Sequence, residues 1–215
     1  MEETSGWYLT FAGHWLSSHG LDLSHKSEDQ DAAARFIELF QKCQSPFSRQ
    51  SLPGHATASA IVLNESLDKV LLTHHRKLNK WLQLGGHADD DQDLARVALR
   101  EAEEESGLCS FRFVASPLWN TTIDGLPMPF DLDVHEIPAR KSEPRHYHHD
   151  ARFLLVACDD NQDSVVVSDE SHDVRWFPLD EARKLNSERS MERQFEKVDL
   201  LKKSKSLELI SYSTR

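Results

Sequence analysis

The chain has 215 residues, of which 36 are Asp or Glu and 25 are Lys or Arg, so its formal net charge at pH 7 is -11. This excess of negative charge argues against broad electrostatic binding to DNA, RNA or an anionic membrane surface. It does not exclude a small phosphorylated ligand, because a bound cation can reverse the local field. The length suits one well-buried core with a small appended piece.

The cysteines and the first residues indicate the compartment. Cys43, Cys109 and Cys158 are scattered and form no Cys-x-x-Cys pair, which argues against a disulfide framework and favours a reducing environment. Residues 1–5 lack the basic start and apolar run of a secretory signal, and no apolar stretch approaches the length needed to cross a bilayer. We therefore expect a soluble cytoplasmic protein without membrane attachment.

The first 53 residues are predicted to form a helical extension. Apolar residues recur at helical spacing in two stretches, first from Trp7 to Leu16 and then from Ala33 to Phe40. Pro46 ends the second helix, and the turn Leu52-Pro53-Gly54 marks the boundary. We expect the extension to pack on the main domain, residues 54–215, or on a second subunit of a homodimer.

Strands and helices alternate from residue 54 onward. A helical period predicts a helix over Asp93–Ser106, which Gly107 ends, and two later helices over Leu179–Leu185 and around Met191–Leu201. Apolar and β-branched residues predict strands at Thr57–Leu63, Lys69–Thr73, Phe111–Ala115, Phe130–Ile137, Ala151–Cys158 and Val174–Phe177. Elements mixed in this way within one compact region indicate an α/β or α+β layered domain.

The predicted helix over Asp93–Ser106 carries an unusual concentration of negative charge. Glu101, Glu104 and Glu105 fall within one third of its circumference, and like-charge pairs at this spacing destabilise an isolated helix by about 0.2–0.5 kcal/mol each. Carboxylates gathered in one place suit Mg²⁺ or Mn²⁺, and a bound ion turns their repulsion into attraction. For the run of glutamates alone, the alternative is a solvated charged face.

The segment around this helix, GGHADDDQDLARVALREAEEESGL, resembles the signature of the Nudix hydrolases, G-x5-E-x7-R-E-U-x-E-E-x-G-U, in which U is a bulky apolar residue. A match over the full spacing from residue 86 to residue 108 is far more specific than a lone glycine motif. The flanking sequence extends the resemblance to residues 57–185. The signature positions that fall in register are Gly86, Arg100, Glu101, Glu104, Glu105, Gly107 and Leu108.

Two positions depart from the signature. Gln92 stands where the first glutamate belongs, and Ala102 is smaller than the usual apolar residue. In the family that glutamate mostly supports the signature arginine and is not a principal metal ligand, so the resemblance still implies a metal site. A nearby aspartate would then take over as the partner of the arginine, and the candidates are Asp89, Asp91 and Asp93.

The resemblance implies an α/β/α sandwich with a mixed β-sheet, and hydrolysis of a diphosphate that joins a nucleoside to a variable group X. Glu104 and Glu105 would bind Mg²⁺ or Mn²⁺ together with the carbonyl of Gly85. Arg100 would hold the glutamates in place. The cations would neutralise the diphosphate, lower the pKa of water and stabilise the charge on the leaving oxygen.

The base that deprotonates the attacking water differs among family members. The resemblance gives Glu101 either this role or that of a further metal ligand. Glu143 and Glu170 lie in loops after the signature and are alternatives to Glu101, and Glu170 is also a candidate substrate contact.

Two stretches outside the signature carry further candidates for the substrate site. Arg76 lies in a run of basic and aromatic residues that would contact phosphates or stack on a base. In PRHYHHDARF, the alternation of a strand places His146, His148 and Asp150 on one face. This array would contact the diphosphate, or bind a softer ion such as Zn²⁺, or consist of histidines that are simply hydrogen-bonded or exposed.

The sequence leaves the substrate open among nucleoside diphosphate sugars, dinucleoside polyphosphates, nucleoside triphosphates and a non-nucleoside diphosphate. The proline that marks ADP-ribose hydrolases is missing, since residues 122–124 are Thr-Ile-Asp. A Nudix-fold module that binds a nucleotide without cleaving it is an alternative that Gln92 favours. An isopentenyl diphosphate isomerase would need a catalytic cysteine in the loop before the glycine-bearing strand, and none of the three cysteines lies there. The expected partner is a small nucleoside diphosphate derivative.

Overall fold

A computed structural model describes residues 26–115, 122–123, 126–140, 143–158, 165–205 and 207–212. The first predicted helix, from Trp7 to Leu16, lies outside these residues, and so does Asp124. None of the described helices has both the length and the apolar character needed to cross a membrane.

The described residues form helices and strands that alternate along the chain. The helices are α1 (Lys26–Lys42), α2 (Leu94–Ser106), α3 (Leu179–Leu185) and α4 (Arg189–Ser204). The strands are β1 (Gly54–Leu63), β2 (Lys69–His75), β3 (Lys80–Leu82), β4 (Leu84–His87), β5 (Phe111–Ala115), β6 (Thr122–Ile123), β7 (Leu126–Pro127), β8 (Asp131–Ile137), β9 (His146–Ala157), β10 (Ser171–Pro178) and β11 (Glu208–Ile210). The fold class predicted from the sequence is confirmed.

Nine strands form one mixed sheet with β1 near its centre. β1 pairs in parallel with β9 on one side, and on the other side it pairs antiparallel with β4 and then with β2. β10 lies beyond β2, whereas β5 and β8 both pair antiparallel with β9. Because β4 and β2 share one edge of β1, the sheet divides there, and the two glycines of β4 lie at this division.

The helices cover both faces of the sheet, which gives the three-layer α/β/α arrangement that the resemblance implies. Even-numbered residues of β1, such as Ala58 and Ala60, pack in one apolar cluster with α1 and α2. Ile61 and Leu63 pack in a second cluster with α3 and α4. Strand β1 is therefore buried on both faces, as its near-continuous apolar sequence predicts.

Helix α1 is part of this core. Phe36 is fully buried, and its ring meets the ring of His149 edge-on at 5.5 Å between centroids. Arg35 Nη1 donates a hydrogen bond to the carbonyl of Val134 on β8 over 3.1 Å. The division of the chain into residues 1–53 and 54–215 stays a prediction about domain organisation.

A buried cluster of ion pairs connects α1, β8, β9 and α4. Asp131 on β8 is inaccessible to solvent and contacts Arg152 Nη1 at 3.1 Å, Arg193 Nε at 2.8 Å and Lys197 Nζ at 2.7 Å. Lys197 also donates to Asp29 of α1 over 2.8 Å. Burial alone would raise the pKa of Asp131, but the charges of Lys197 and Arg193 outweigh it and hold the pKa well below its usual range. The cluster therefore ties four separate elements to one carboxylate.

We predict that Asp131→Asn strongly destabilises the fold, because it removes the charge that contacts three buried cations at nearly unchanged volume. Breaking a buried ion pair from one side typically costs about 3–5 kcal/mol, and urea denaturation should show a loss of this size in the free energy of unfolding. Glu38→Gln, which removes an exposed pair with Lys42 on α1, is the control and should leave the free energy of unfolding close to that of the wild type. Equal losses in the two variants would contradict a structural role for the buried cluster.

Candidate active site

A cleft of about 540 Å³ opens where β1, β4 and α2 meet. Its walls bring together residues that are far apart in the sequence. From the signature segment they include Gly85, Gly86, His87, Arg100, Glu101, Glu104 and Glu105. From other elements and loops they include Arg49, Thr57, Ser59, Lys77, His135, Glu143, His148, Asp150 and Glu170.

Helix α2 presents the glutamates because its ends and its opposite face are fixed. Asp93 caps the N-terminus by accepting a hydrogen bond from the backbone amide of Arg96 over 3.1 Å. Gly107 ends the helix in the left-handed region, with φ of 73°, and its amide donates to the carbonyl of Glu103. Ala102 is fully buried in the apolar cluster shared by α2 and β1. The small residue at this signature position lets the helix lie close to the sheet.

The two glycines of β4 allow the backbone to approach the glutamates. The amide of Gly85 donates a hydrogen bond to Glu105 Oε2 over 2.9 Å. A Cβ atom on Gly86 would lie 2.5 Å from Glu101 Oε2, and one on Gly85 would lie 2.4 Å from the Cβ of Ser59. Side chains at these two positions would therefore displace either a carboxylate or the neighbouring strand.

The three glutamates differ in burial and therefore in acidity. Glu105 is buried and Glu101 is partly buried, whereas Glu104 is exposed. Burial raises the pKa of Glu105 to about 8 and that of Glu101 to about 7, and the negative charges of the neighbouring carboxylates add to the effect. Ionised together, these groups form a concentrated negative charge that favours a cation.

Arg100 lies among the carboxylates, as the resemblance implies. Its Nη1 atom is 3.0 Å from Glu101 Oε1 and 3.5 Å from Glu104 Oε2, and its Nη2 atom donates to the carbonyl of His87 over 3.0 Å. The arginine thus joins α2 to the end of β4.

The expectation that a nearby aspartate replaces the missing first glutamate is wrong, because all three candidates are engaged elsewhere. Gln92 itself is exposed, and Arg100 is held instead by the carbonyl of His87 and by the neighbouring glutamates. Asp89 pairs with Arg49, Asp91 pairs with Arg96, and Asp93 caps α2 and accepts a hydrogen bond from Tyr212. The spacing along the sequence identified these aspartates as candidates, but it could not show which groups they contact in the fold.

The structure brings together some of the other candidates and separates others. His148, Asp150, Glu143 and Glu170 line the cleft with the glutamates. The remaining two are outside the lining: Arg76 is exposed and its Nε donates to the carbonyl of Ser171 over 2.6 Å, and His146 is buried with its ring stacked on His55.

The register of the sheet supplies cleft residues that sequence reasoning had missed. Thr57 and Ser59 of β1 stand opposite Asp150 and Arg152 of β9. Thr57 Oγ1 donates to Asp150 Oδ1 over 3.1 Å, Ser59 Oγ donates to Asp150 Oδ2 over 2.7 Å, and Arg152 Nε donates to the same oxygen over 3.0 Å. Asp150 is therefore fully engaged at the floor of the cleft.

A histidine of β8 reaches the same face. His135 lies directly opposite His148 in the pairing of β8 with β9, and Asp133 lies opposite Asp150. The alternating polar residues in 55–59 and 131–135 were the available signal in the sequence. Alternation identifies a strand face, but it does not say which strands are neighbours.

We predict that Gly86→Ala weakens metal binding far more than it affects stability. The new methyl group would meet the flexible end of Glu101 and not the backbone, so the carboxylate can move away at little cost to the fold. Calorimetric titration with Mn²⁺ should show affinity at least about tenfold lower, roughly 1.4 kcal/mol, with a thermal midpoint close to that of the wild type in chelator.

Gly85→Ala is the matched control. There the methyl group would meet Cα and Cβ of Ser59 on the adjacent strand, so stability should fall together with metal binding. Unchanged Mn²⁺ affinity in Gly86→Ala would contradict the inferred position of Glu101.

We predict that the metal-free protein loses stability as the pH rises from mildly acidic values to about pH 8. A carboxyl whose pKa is higher in the folded than in the unfolded chain stabilises the fold at low pH, and this stability is lost as the pH rises through the folded pKa. For Glu105 the loss extends to about pH 8, at about 1.4 kcal/mol per pH unit. Thermal midpoints measured in chelator between about pH 6.5 and pH 8 should fall, and Glu105→Gln should flatten the slope. An equal slope in the variant would contradict the prediction.

Comparison with known proteins identifies related sequences. The sequence model of the NUDIX domain matches residues 53–198. The m7GpppN-mRNA hydrolase NUDT17 of Bos taurus is 30% identical over 120 residues, a match that covers 49% of this chain and 34% of that protein. The chain thus spans about a third of that relative.

Solved structures share the fold. A hydrolase of the NUDIX family from Clostridium perfringens aligns with a TM-score of 0.51 and 24% identity, over 68% of this chain and 97% of that one. The spacing of the signature, its glutamates in the cleft and a family match over more than half of the chain lead to one conclusion: this protein belongs to the Nudix hydrolase family.

Proposed function

We propose that this protein hydrolyses a diphosphate bond that links a nucleoside to another group, in a reaction that depends on Mg²⁺ or Mn²⁺. One observation carries the proposal: Glu101, Glu104 and Glu105 converge with the Gly85–Gly86 backbone on the wall of a single cleft. The volume of about 540 Å³ is in the range of sites that take small molecules.

The donor atoms in the cleft fit a hard divalent cation. Glu104, Glu105 and the carbonyl of Gly85 offer only oxygen, which is the ligand type that Mg²⁺ and Mn²⁺ prefer. The raised pKa of Glu105 means that its ionised form is costly without a cation nearby. When bound, such an ion neutralises the diphosphate and polarises its oxygens.

The chain's own residues then have distinct roles. Glu101, whose charge also helps to hold the cation, accepts the proton of the attacking water, since its carboxyl lies over Gly86 at the cleft wall and burial brings its pKa to about 7, close to neutral pH. Arg100 positions Glu101 and Glu104 through contacts of 3.0 and 3.5 Å. Lys77 at the rim supplies positive charge for the phosphates.

Other carboxylates of the cleft are the alternatives to Glu101 as the base. Glu143 and Glu170 line the same cleft from later loops, and the charge of Glu170 acts on Glu101 and Glu105, so both residues are candidates to accept the proton of the attacking water. Alanine at the true base should lower kcat by a factor of about 10²–10⁴, and alanine at the other two positions should have a smaller effect.

The substrate class is a small nucleoside derivative. The relative from Bos taurus is named for hydrolysis of m7GpppN-mRNA, which supports a nucleoside joined through phosphates, and the net charge of -11 disfavours a long nucleic acid. A cytoplasmic location and a homodimer stay predictions.

The proposal predicts two linked losses in Glu105→Gln. Mg²⁺ or Mn²⁺ should stabilise the wild type by about 2.7 kcal/mol at a concentration a hundredfold above its dissociation constant, and the ion should support hydrolysis of at least one compound in a panel. The panel contains nucleoside diphosphate sugars, dinucleoside polyphosphates and nucleoside triphosphates, with phosphate release measured after an added phosphatase. Glu105→Gln should abolish both the stabilisation and the hydrolysis.

Glu103→Gln is the matched control, since it makes the same change of charge on the exposed side of α2, outside the cleft. It should retain both properties. Full activity of Glu105→Gln would overturn the metal assignment. Metal-dependent stabilisation without hydrolysis of any panel compound would instead favour a nucleotide-binding module.

A further inference from the structure

A cluster of histidines lies beside the glutamates. His55, His87 and His148 belong to the adjacent strands β1, β4 and β9, and each offers a ring nitrogen within 4.8 Å of those of the other two. The register of the sheet explains their proximity. His55 stands opposite His148 in the parallel pairing of β1 with β9, and His87 stands opposite Thr57, two positions along β1 from His55.

The ring of His55 has a buried nitrogen that lacks a hydrogen-bonding partner. The side chain is 1% exposed, and its Nδ1 lies 3.3 Å from the carbonyl of Ser51, to which it donates. Nε2 therefore carries a lone pair, and it has no partner among the described residues. An unsatisfied buried polar atom destabilises a fold. A bound metal ion would satisfy it, and the Nδ1–H bond to a carbonyl is the usual second contact of a ligating histidine.

The ring of His148 is held in place by its neighbour. His146 Nδ1 lies 2.9 Å from the carbonyl of Pro144 and donates to it, so His146 Nε2 carries a lone pair. That atom is 3.2 Å from His148 Nε2, which must then supply the proton. His148 Nδ1 keeps its lone pair as a result, so the hydrogen bonds fix the ring in a form that can bind a metal.

We propose that His55, His87 and His148 bind one transition-metal ion, for which Zn²⁺ is the best match, at a site separate from the glutamates. Three imidazole nitrogens suit Zn²⁺ and related ions, whereas Mg²⁺ and Mn²⁺ prefer the oxygens of the glutamates. In a tetrahedral site, Zn–N bonds of about 2.0–2.1 Å place two ligand atoms about 3.4 Å apart. The widest pair, which lies within 4.8 Å, must therefore close by up to about 1.4 Å through side-chain rotation. His87 and His148 line the cleft, so the fourth coordination position opens into it.

This ligand set differs from the His-x-His-x-Asp array that the sequence indicated. Asp150 is not available, because Thr57, Ser59 and Arg152 already donate hydrogen bonds to its two oxygens. His146 acts as a positioning residue for His148 and not as a ligand of the ion.

The site is tested by metal binding to the full chain after removal of metals with a chelator. Loading with Co²⁺ should give the intense visible absorption of a tetrahedral, nitrogen-rich site, in contrast to the weak absorption of an octahedral oxygen site. Competition with a chromophoric chelator should show one Zn²⁺ per chain, retained in a large excess of Mg²⁺. These two measurements need no variant.

Variants then locate the site. His87→Gln and His148→Gln should each weaken Zn²⁺ binding by more than about tenfold, whereas Glu104→Gln and Glu105→Gln should leave it unchanged. His172→Gln is the matched control, since it removes an exposed histidine of β10. Thermal midpoints in chelator show whether each variant is folded. If one of the two ligand variants is unfolded, the Zn²⁺ affinity of the other, folded variant tests the site.

Three results would overturn the proposal. The first is a wild type that retains no Zn²⁺ in the presence of Mg²⁺. The second is Zn²⁺ affinity that is unchanged in folded His87→Gln or His148→Gln. The third is Zn²⁺ binding that is lost in Glu105→Gln together with a weak, octahedral Co²⁺ spectrum, since this would place the ion on the glutamates.

Discussion

The hydrogen bond from the amide of Gly85 to the carboxylate of Glu105 sets the distance between β4 and α2, and the geometry of the cleft depends on that distance. Such a close approach requires glycine at 85 and 86, since a Cβ atom at either position would overlap Ser59 or Glu101. It also requires small side chains on the buried face of α2, which is where Ala102 lies. The mutual repulsion of the glutamates is unfavourable by itself, and the proposed cation would offset it.

The floor of the cleft is stabilised from the opposite side of the fold. Asp150, which lies between Thr57 and Ser59, also accepts a hydrogen bond from Arg152. Arg152 pairs with Asp131, which also pairs with Lys197 of α4. Lys197 in turn donates a hydrogen bond to Asp29 of α1. A long polar connection of this kind needs every member to be satisfied, since a buried charge without its partner costs several kcal/mol. Helix α1 is thus connected to the floor of the cleft through this series of ion pairs.

Two different sets of donor atoms face the same cleft. The glutamates of α2 provide oxygen, and the histidines of β1, β4 and β9 provide nitrogen. Hard and borderline cations differ in their preference for these atoms, so the two proposed sites would select different ions. Strand β4 contributes to both sets, because Gly85 donates a hydrogen bond to Glu105 and His87 belongs to the histidine cluster.

The sequence by itself determined the elements and contacts that depend on local spacing. Residues that lie close together along the chain determined the helix over residues 93–106, its end at Gly107, and the positions of the two glycines and the glutamates. The resemblance to the family depends on the same local spacing. Only the tertiary structure decided which strands lie side by side. It assigned Arg100 to the carbonyl of His87 in place of an aspartate, removed Arg76 and His146 from the cleft wall, and brought His55 and His87 to His148. The physical reason is that covalent geometry fixes periodicity within an element, whereas register across a sheet depends on pairing between distant segments.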